Sequence, residues 1–142
     1  MPRSRIPIRL RRLVVQRAKQ RCEYCLLHQD DRPEPHACDH IIARKHRGRT
    51  SSDNLAFACA RCNNHKGPDL ASADPLTGEI VLLFNPRTDN WGNHFAVANA
   101  HIIGLTAIGR ATVELLHFND PLRVEQRRVL IAAGQYPPPE YL

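Results

Sequence analysis

The chain has 142 residues, of which 42% are hydrophobic and 24% are charged, and its formal net charge is +6. A chain of this length and composition is long enough for one folded domain with a modest core, so we expect a single domain over residues 1–142. No apolar run approaches the roughly 18 residues that cross a bilayer, and no apolar signal-peptide core follows the basic N-terminus. A cytoplasmic protein with reduced thiols is therefore expected.

A helix is predicted near the N-terminus, where Pro7 is suited to a first helical turn. Four apolar residues follow it at helical spacing and form one stripe: Leu10, Leu13, Val14 and Ala18. The helix is expected to span about residues 7–21, with its arginines mostly off the apolar stripe.

Two short strands and a second helix are predicted next. Residues 37–43 favour a strand, and residues 55–58 favour a second strand that runs antiparallel to the first across a polar loop. Residues 59–66 fit a short helix that Gly67-Pro68 would end. The predicted order is therefore strand, loop, strand, helix.

The second half of the chain predicts an extension over about residues 74–134. Its elements are a turn at 74–78, a strand at 79–84, a loop at 85–93 with the only tryptophan, and helices from Thr106 through Leu116 and from Asp120-Pro121 through about Ala133. Residues 95–103 fit either a strand or irregular structure. A proline-rich tail follows over residues 135–142.

Four of the five cysteines form two Cys-x2-Cys pairs, Cys22/Cys25 and Cys59/Cys62. Two thiolates at this spacing bind one side of a tetrahedral zinc ion, and two such pairs complete its shell. In a reducing compartment such pairs bind metal rather than oxidise, which predicts a structural zinc site. Cys38, which belongs to neither pair, is interpreted as a small buried hydrophobe.

Basic residues are concentrated in two clusters. The first comprises Arg3, Arg5, Arg9, Arg11, Arg12, Arg17, Lys19 and Arg21. The second follows Asp39-His40 and comprises Arg44, Lys45, Arg47 and Arg49. Such clusters suit a phosphate backbone. A solvated basic surface is the other interpretation of the first cluster, whereas the second lies beside a candidate catalytic histidine and favours nucleic acid.

Four segments together resemble the HNH endonuclease family. They are Cys22-Glu23-Tyr24-Cys25, Cys38-Asp39-His40-Ile41-Ile42, Asp53-Asn54-Leu55-Ala56 and the run from Cys59 to Gly67. The family has the ββα-metal (His-Me finger) fold, often stapled by a four-cysteine zinc site. The resemblance therefore implies an α+β chain, with this core at about residues 22–70 between the N-terminal helix and the C-terminal extension. The segment around Trp91 and His94-Phe95 resembles a C-terminal extension found in a bacterial, notably cyanobacterial, subset of the family.

The resemblance also implies roles for individual residues. It places a general base at His40 and ligands of a catalytic Mg²⁺ or Mn²⁺ at Asp39 and Asn63. Asn54 corresponds to the middle asparagine, which orients the histidine or tightens the loop. The expected DNA contacts are Arg44, Lys45, Arg47, Arg49 and Lys66. General chemistry agrees, because a neutral histidine can accept a proton from water and hard cations prefer oxygen ligands.

The sequence departs from the family pattern at three positions. The family often has proline where Ala43 stands and glycine where Arg47 stands, which leaves the geometry of this loop open. Asn63 takes a position that is histidine in other members, and its amide oxygen suits Mg²⁺ or Mn²⁺ better than softer ions. In a regular strand the adjacent residues Asp39 and His40 would also face opposite sides.

The leading hypothesis is a metal-dependent endonuclease that nicks or cleaves DNA by hydrolysing phosphodiester bonds. The alternative is a zinc-stapled nucleic-acid-binding module without catalysis, for which Asp39 and His40 would be dispensable. A zinc-dependent protein-interaction domain would leave the net charge of +6 unexplained. Because a single site of this kind cuts one strand, double-strand cleavage would need a homodimer or two successive events.

Overall fold

The computed structural model describes residues 6–141 of the chain. The chain divides into two compact units, Met1–Asp69 and Leu70–Leu142. Both units combine helices with two-stranded antiparallel sheets, so the predicted α+β class is confirmed. Within residues 6–141 no helix is long and apolar enough to cross a membrane. The expectation of a single domain stays a prediction.

The first unit contains helix α1 (Ile8–Arg17), strands β1 (Ala37–His40) and β2 (Leu55–Ala58), and helix α2 (Ala60–Lys66). Strands β1 and β2 pair antiparallel, with Ala37 opposite Ala58 and His40 opposite Leu55. All four residues of β2 are buried, whereas β1 is half-buried throughout. The predicted order of strand, loop, strand and helix is therefore the observed one.

Helix α1 is shorter than the predicted span of about residues 7–21. Lys19 and Gln20 have φ angles of +54° and +61°, and such left-handed backbone cannot continue a right-handed helix. The prediction of the buried face was also wrong at Leu13, which is 43% exposed. Val14 of the same stripe is fully buried and packs with Phe57 of β2 in the core of the unit.

Strand β1 and helix α2 end where local geometry requires it. The strand prediction of residues 37–43 was three residues too long, because the chain bends after His40 and enters a 3₁₀ turn at Arg44–His46. Helix α2 begins after Cys59, whose thiol accepts a hydrogen bond from the backbone N–H of Cys62. It ends as predicted before Gly67, which has a φ of +49°.

The second unit contains strands β3 (Ala71–Ala73) and β4 (Ile80–Leu82), helix α3 (Trp91–His94), strands β5 (Phe95–Ala98) and β6 (His101–Gly104), and helices α4 (Ala107–Leu115) and α5 (Pro121–Ala132). Strands β3 and β4 form one hairpin and β5 and β6 another. The ambiguous residues 95–103 are thus mostly strand.

Caps explain the helices of the second unit. The prediction of a loop around Trp91 was wrong, because the Asn90 side chain accepts a hydrogen bond from the Gly92 N–H and starts helix α3. Thr106 caps α4 as predicted, with its hydroxyl accepting from the Gly109 N–H at 3.0 Å. Asp120 precedes α5 without a side-chain cap hydrogen bond.

Candidate functional site

The two cysteine pairs of the first unit meet at one point. Cys22 and Cys25 lie in a turn after α1, and Cys59 and Cys62 lie at the start of α2. The four buried sulfurs all lie within 4.8 Å of one another, and Cys25 Sγ is 3.7 Å from Cys59 Sγ. A tetrahedron with Zn–S distances of about 2.3 Å has edges of about 3.8 Å. The cluster therefore has the size of a zinc site.

The backbone around the cluster is arranged for thiolate ligands. In each pair the second amide N–H donates to the first sulfur at 3.4 Å, from Cys25 to Cys22 and from Cys62 to Cys59. Burial raises the pKa of the Cys22 and Cys62 thiols well above its ordinary value. A metal cation would offset this cost, because it replaces the thiol protons. Four buried reduced thiols in contact are compatible with a structural zinc ion.

Asp39 lies in β1 and is nearly buried, with 19% of its side chain exposed. Its Oδ2 atom is buried and has no hydrogen-bond partner among the described residues. Burial raises the pKa of Asp39 to about 6, although the Lys66 ammonium 3.8 Å away opposes that rise. A buried carboxylate oxygen with unused acceptor capacity fits a ligand of a divalent cation.

Lys66 lies at the end of α2 and only 2% of it is exposed. Its ammonium donates a hydrogen bond to the Ile41 carbonyl at 3.0 Å, and burial lowers its pKa. The structure thus places Lys66 inside the unit beside Asp39. The other predicted DNA contacts, by contrast, are exposed: Arg44, Lys45, Arg47 and Arg49.

His40 ends strand β1 and is half-buried. Its Nε2 atom lies 2.8 Å from the Thr50 hydroxyl. Burial lowers the pKa of His40 and the nearby Arg44 guanidinium lowers it further, so the ring is neutral at pH 7. Thr50 is not among the residues that the sequence pointed to. The available signal was the hydroxyl run Thr50-Ser51-Ser52, but the path of a loop does not follow from its composition.

Asn54 closes the loop between β1 and β2. Its Oδ1 accepts from the Ile42 N–H at 2.9 Å, and its Nδ2 donates to the carbonyls of Ile42 at 3.0 Å and Arg49 at 2.8 Å. Gly48 lies next to these hydrogen bonds of Asn54, where a Cβ atom would collide with the Ile42 carbonyl. Of the two roles implied for Asn54, tightening of the loop is the one that this geometry favours.

Asp39, His40 and Asn63 line one pocket of about 380 Å³ in the first unit. The other residues that line it are Ala43, Arg44, Asn64, Gly67 and Pro68. The adjacency of Asp39 and His40 does not separate them, because β1 ends at His40 and the chain bends there. Strand β1 and helix α2 therefore bring a carboxylate, an imidazole and an amide to one cavity.

Residues 22–69 match the HNH endonuclease family. The resemblance seen in the sequence is thereby confirmed over this segment. Over 120 residues the chain is also 26% identical to the Septu protein PtuB of Bacillus thuringiensis. That similarity covers 83% of this chain but 44% of the relative, so the chain spans less than half of the length of that protein. No solved structure matches the chain significantly.

The loop of the HNH segment also explains one departure from the family pattern. Arg47 follows the 3₁₀ turn Arg44–His46 with a φ of +70° and a ψ of +22°, which is left-handed backbone. Glycine adopts this conformation without steric cost, and an arginine does not. The backbone thus has the geometry that a family glycine would serve, although the residue there is Arg47.

Two arginines of the first basic cluster donate hydrogen bonds to backbone carbonyls of the first unit. One amino group of Arg17 donates to the Ser52 and Leu55 carbonyls at 2.6 Å each, and Arg21 donates to the Leu26 carbonyl at 2.8 Å. Other members are exposed, namely Arg9, Arg11, Arg12 and Lys19. The predictions for Arg3 and Arg5 lie outside the described residues. Membership of a basic cluster therefore does not by itself identify a phosphate contact.

Proposed function

We propose that the chain is a metal-dependent endonuclease that hydrolyses DNA phosphodiester bonds. The observation that carries the proposal is the common pocket of Asp39, His40 and Asn63, within a segment that matches the HNH endonucleases. In this proposal His40 is the general base, and the zinc ion held by Cys22, Cys25, Cys59 and Cys62 is structural.

The chemistry of the pocket suits this reaction. Hydrolysis needs a base that accepts a proton from water, and a half-buried histidine that is neutral at pH 7 is such a base. Asp39 and Asn63 would hold one Mg²⁺ or Mn²⁺, which when bound supplies charge stabilisation to a phosphate. Oxygen ligands from a carboxylate and an amide fit these hard cations.

The exposed residues of the loop supply the proposed contact with DNA. Arg44 lines the pocket itself, while Lys45, Arg47 and Arg49 are exposed on the same loop. Such side chains contact the phosphate backbone without reading bases, so the proposal includes no sequence preference. Lys66 has another proposed role: its buried ammonium offsets the charge of Asp39.

Cleavage of supercoiled plasmid tests the proposal. The purified protein should convert the plasmid to nicked or linear DNA with Mg²⁺ or Mn²⁺ but not with EDTA. His40→Ala should lower the rate by about 10²- to 10⁴-fold, because a general base contributes that much. His46→Ala is the matched control, since His46 is exposed in the neighbouring turn and should keep wild-type activity. Zinc content should be the same in all three proteins.

A second candidate function is a zinc-stapled nucleic-acid-binding module without catalysis. The exposed basic loop would serve it equally well. Tight DNA binding without cleavage, by wild type and His40→Ala alike and with either metal, would favour this candidate. Linear product at low conversion would instead point to a homodimer that cuts both strands.

A further inference from the structure

The His40 ring has one hydrogen-bond partner among the described residues, the Thr50 hydroxyl. The distance from His40 Nε2 to Thr50 Oγ1 is 2.8 Å, which is a normal hydrogen bond. Thr50 is half-buried and lies ten residues along the chain, in the loop between β1 and β2. The contact therefore joins the candidate base to the loop.

The position of Thr50 is set by the residues around it. Asn54 holds the carbonyl of the preceding residue, Arg49, at 2.8 Å, and it holds both backbone polar groups of Ile42. One amino group of Arg44 lies 3.5 Å from the Thr50 hydroxyl. Asn54 thus acts on the ring of His40 through Arg49 and Thr50 rather than by direct contact.

The chemistry of the two groups favours one direction for this hydrogen bond. A hydroxyl has one donor and two acceptor sites, and a neutral imidazole has one nitrogen of each kind. If Nε2–H of His40 donates to Thr50, Nδ1 keeps the lone pair that a base needs. The same bond persists when the ring gains a proton, because both ring nitrogens are then donors. In the opposite arrangement the hydroxyl would have to rotate during the reaction.

We infer that Thr50 is a positioning residue that accepts a hydrogen bond from His40 Nε2–H and so reserves Nδ1 for the proton of the attacking water. The inference rests on the proposed nuclease function for its catalytic consequence, but the bond itself can be tested without cleavage. It also gives Asn54 a physical role, since loosening the loop at Arg49 would displace the Thr50 hydroxyl.

The kinetic test compares two substitutions at Thr50 in the full, zinc-loaded chain. Thr50→Val keeps the shape of the side chain but removes the hydroxyl, and Thr50→Ser keeps the hydroxyl. Thr50→Val should lower kcat for plasmid nicking by about 10- to 100-fold, the range for a hydrogen bond to a group that becomes charged. KM should stay unchanged, and Thr50→Ser should restore most of the rate. Ser51→Ala is the control, since the Ser51 hydroxyl bonds Asp53 instead.

The spectroscopic test measures the nitrogen chemical shifts of the His40 ring near neutral pH. Wild-type protein should show the tautomer with the proton on Nε2, and Thr50→Val should show a mixture of tautomers while Ser51→Ala keeps the wild-type spectrum. A wild-type ring with its proton on Nδ1 would overturn the inference even if every variant failed to fold. Unchanged kcat and an unchanged tautomer in Thr50→Val would overturn it as well.

The two readouts separate this inference from the proposed function. If wild-type protein cleaves no DNA with any metal, the nuclease proposal fails, and the nitrogen spectra still decide whether Thr50 holds the ring. If wild type cleaves and Thr50→Val cleaves equally well with an unchanged tautomer, the nuclease proposal stands and the role of Thr50 is rejected.

Discussion

The two units of the chain differ in the hydrogen bonds that their least exposed aspartates accept. In the second unit Asp74 is fully buried, and its carboxylate accepts hydrogen bonds from Arg110, Leu76 and Thr77. In the first unit the Asp39 side chain is 19% exposed, and its buried Oδ2 has no hydrogen-bond partner among the described residues. Hydrogen bonds from Arg110 hold the pKa of Asp74 well below its ordinary value, while burial raises that of Asp39 to about 6.

This contrast distinguishes an aspartate that stabilises the fold, Asp74, from one that is a candidate metal ligand, Asp39. A buried carboxylate with its hydrogen bonds complete stabilises the turn and helix that it joins. A buried carboxylate oxygen with an open acceptor costs free energy, which a bound cation would offset. The four buried thiols of the first unit, Cys22, Cys25, Cys59 and Cys62, are also costly to bury as thiolates unless a cation offsets their charge. An unused acceptor beside a pocket therefore distinguishes Asp39 from Asp74.

The largest expected effect comes from removing the ion that the thiols imply. Structural zinc sites contribute on the order of 10 kcal/mol to folding, so a strong chelator or Cys59→Ser should unfold the first unit. Amide hydrogen exchange should show lost protection in β1, β2 and α2. Protection in α4 and α5 should stay, because the second unit has its own packed core.

Cys38→Ser is the matched control for the zinc prediction. Cys38 is a free cysteine of β1 that lies outside the cluster, so its replacement should leave zinc content and exchange protection unchanged. Retained protection of β2 in a zinc-free Cys59→Ser protein would show that the cluster does not hold the first unit together.

A smaller effect is expected from removing a buried hydrogen-bond donor in the second unit. Arg127 is 5% exposed and donates to the carbonyls of Ala100 and Phe118 at 2.7 Å each and to Asn119 Oδ1 at 3.3 Å. Arg127→Met would remove this donor from the carbonyls of Ala100 and Phe118, whereas Asn119 Oδ1 would keep the hydrogen bond from the Ile102 N–H. Urea denaturation should show a loss of about 3–5 kcal/mol in the free energy of unfolding.

The neighbouring arginine provides the control. Arg128 is exposed and its contacts with Glu125 and Asn99 are at the surface, so Arg128→Met should change the free energy of unfolding by less than about 0.5 kcal/mol. Equal losses in the two variants would mean that the buried hydrogen bonds of Arg127 add nothing to the stability of the second unit.

Local motifs made the HNH segment predictable from the sequence. The cysteine pairs were found from their Cys-x2-Cys spacing, and the resemblance to the HNH family pointed to Asp39, His40 and Asn63, which line one pocket. The end of α2 at Gly67 was found because Gly67-Pro68 directly follows the predicted helix. These features depend on residues that are near one another in the chain.

Features that depend on the path of the backbone were not predictable in this way. The early end of α1 results from left-handed backbone at Lys19 and Gln20, neither of which is a residue type that favours it. The burial of Lys66 and the contact of Thr50 with His40 need the fold of the loop. A charge or a hydroxyl in the sequence does not say which side of a chain it will face.

The smallest expected effect is the pH dependence of cleavage that the protonation of Asp39 would cause. Asp39 has a pKa of about 6 in the folded protein, well above the ordinary 3.8, so it gains a proton as the pH falls through 6. A protonated carboxyl does not bind a cation, and metal-dependent cleavage should therefore fall about tenfold per pH unit below that point. His40 has a lowered pKa and gains its proton at lower pH than an ordinary histidine. The acid limb of a pH–rate profile is therefore expected to include the protonation of Asp39, and the metal dependence of the limb distinguishes it from the protonation of His40.

Varying the metal concentration identifies the group that sets this limb. If Asp39 binds the metal as proposed, Mg²⁺ and protons compete for it, and raising Mg²⁺ should move the limb to lower pH. A limb set by the protonation of His40, which is not a proposed metal ligand, should stay in place. Asp30→Asn is the control, because it removes an exposed carboxylate of the same unit that pairs with His28 and should leave the limb unchanged. An acid limb that does not move with the Mg²⁺ concentration would mean that Asp39 does not bind the ion. The absence of a hydrogen-bond partner for its buried Oδ2 atom among the described residues would then need another explanation.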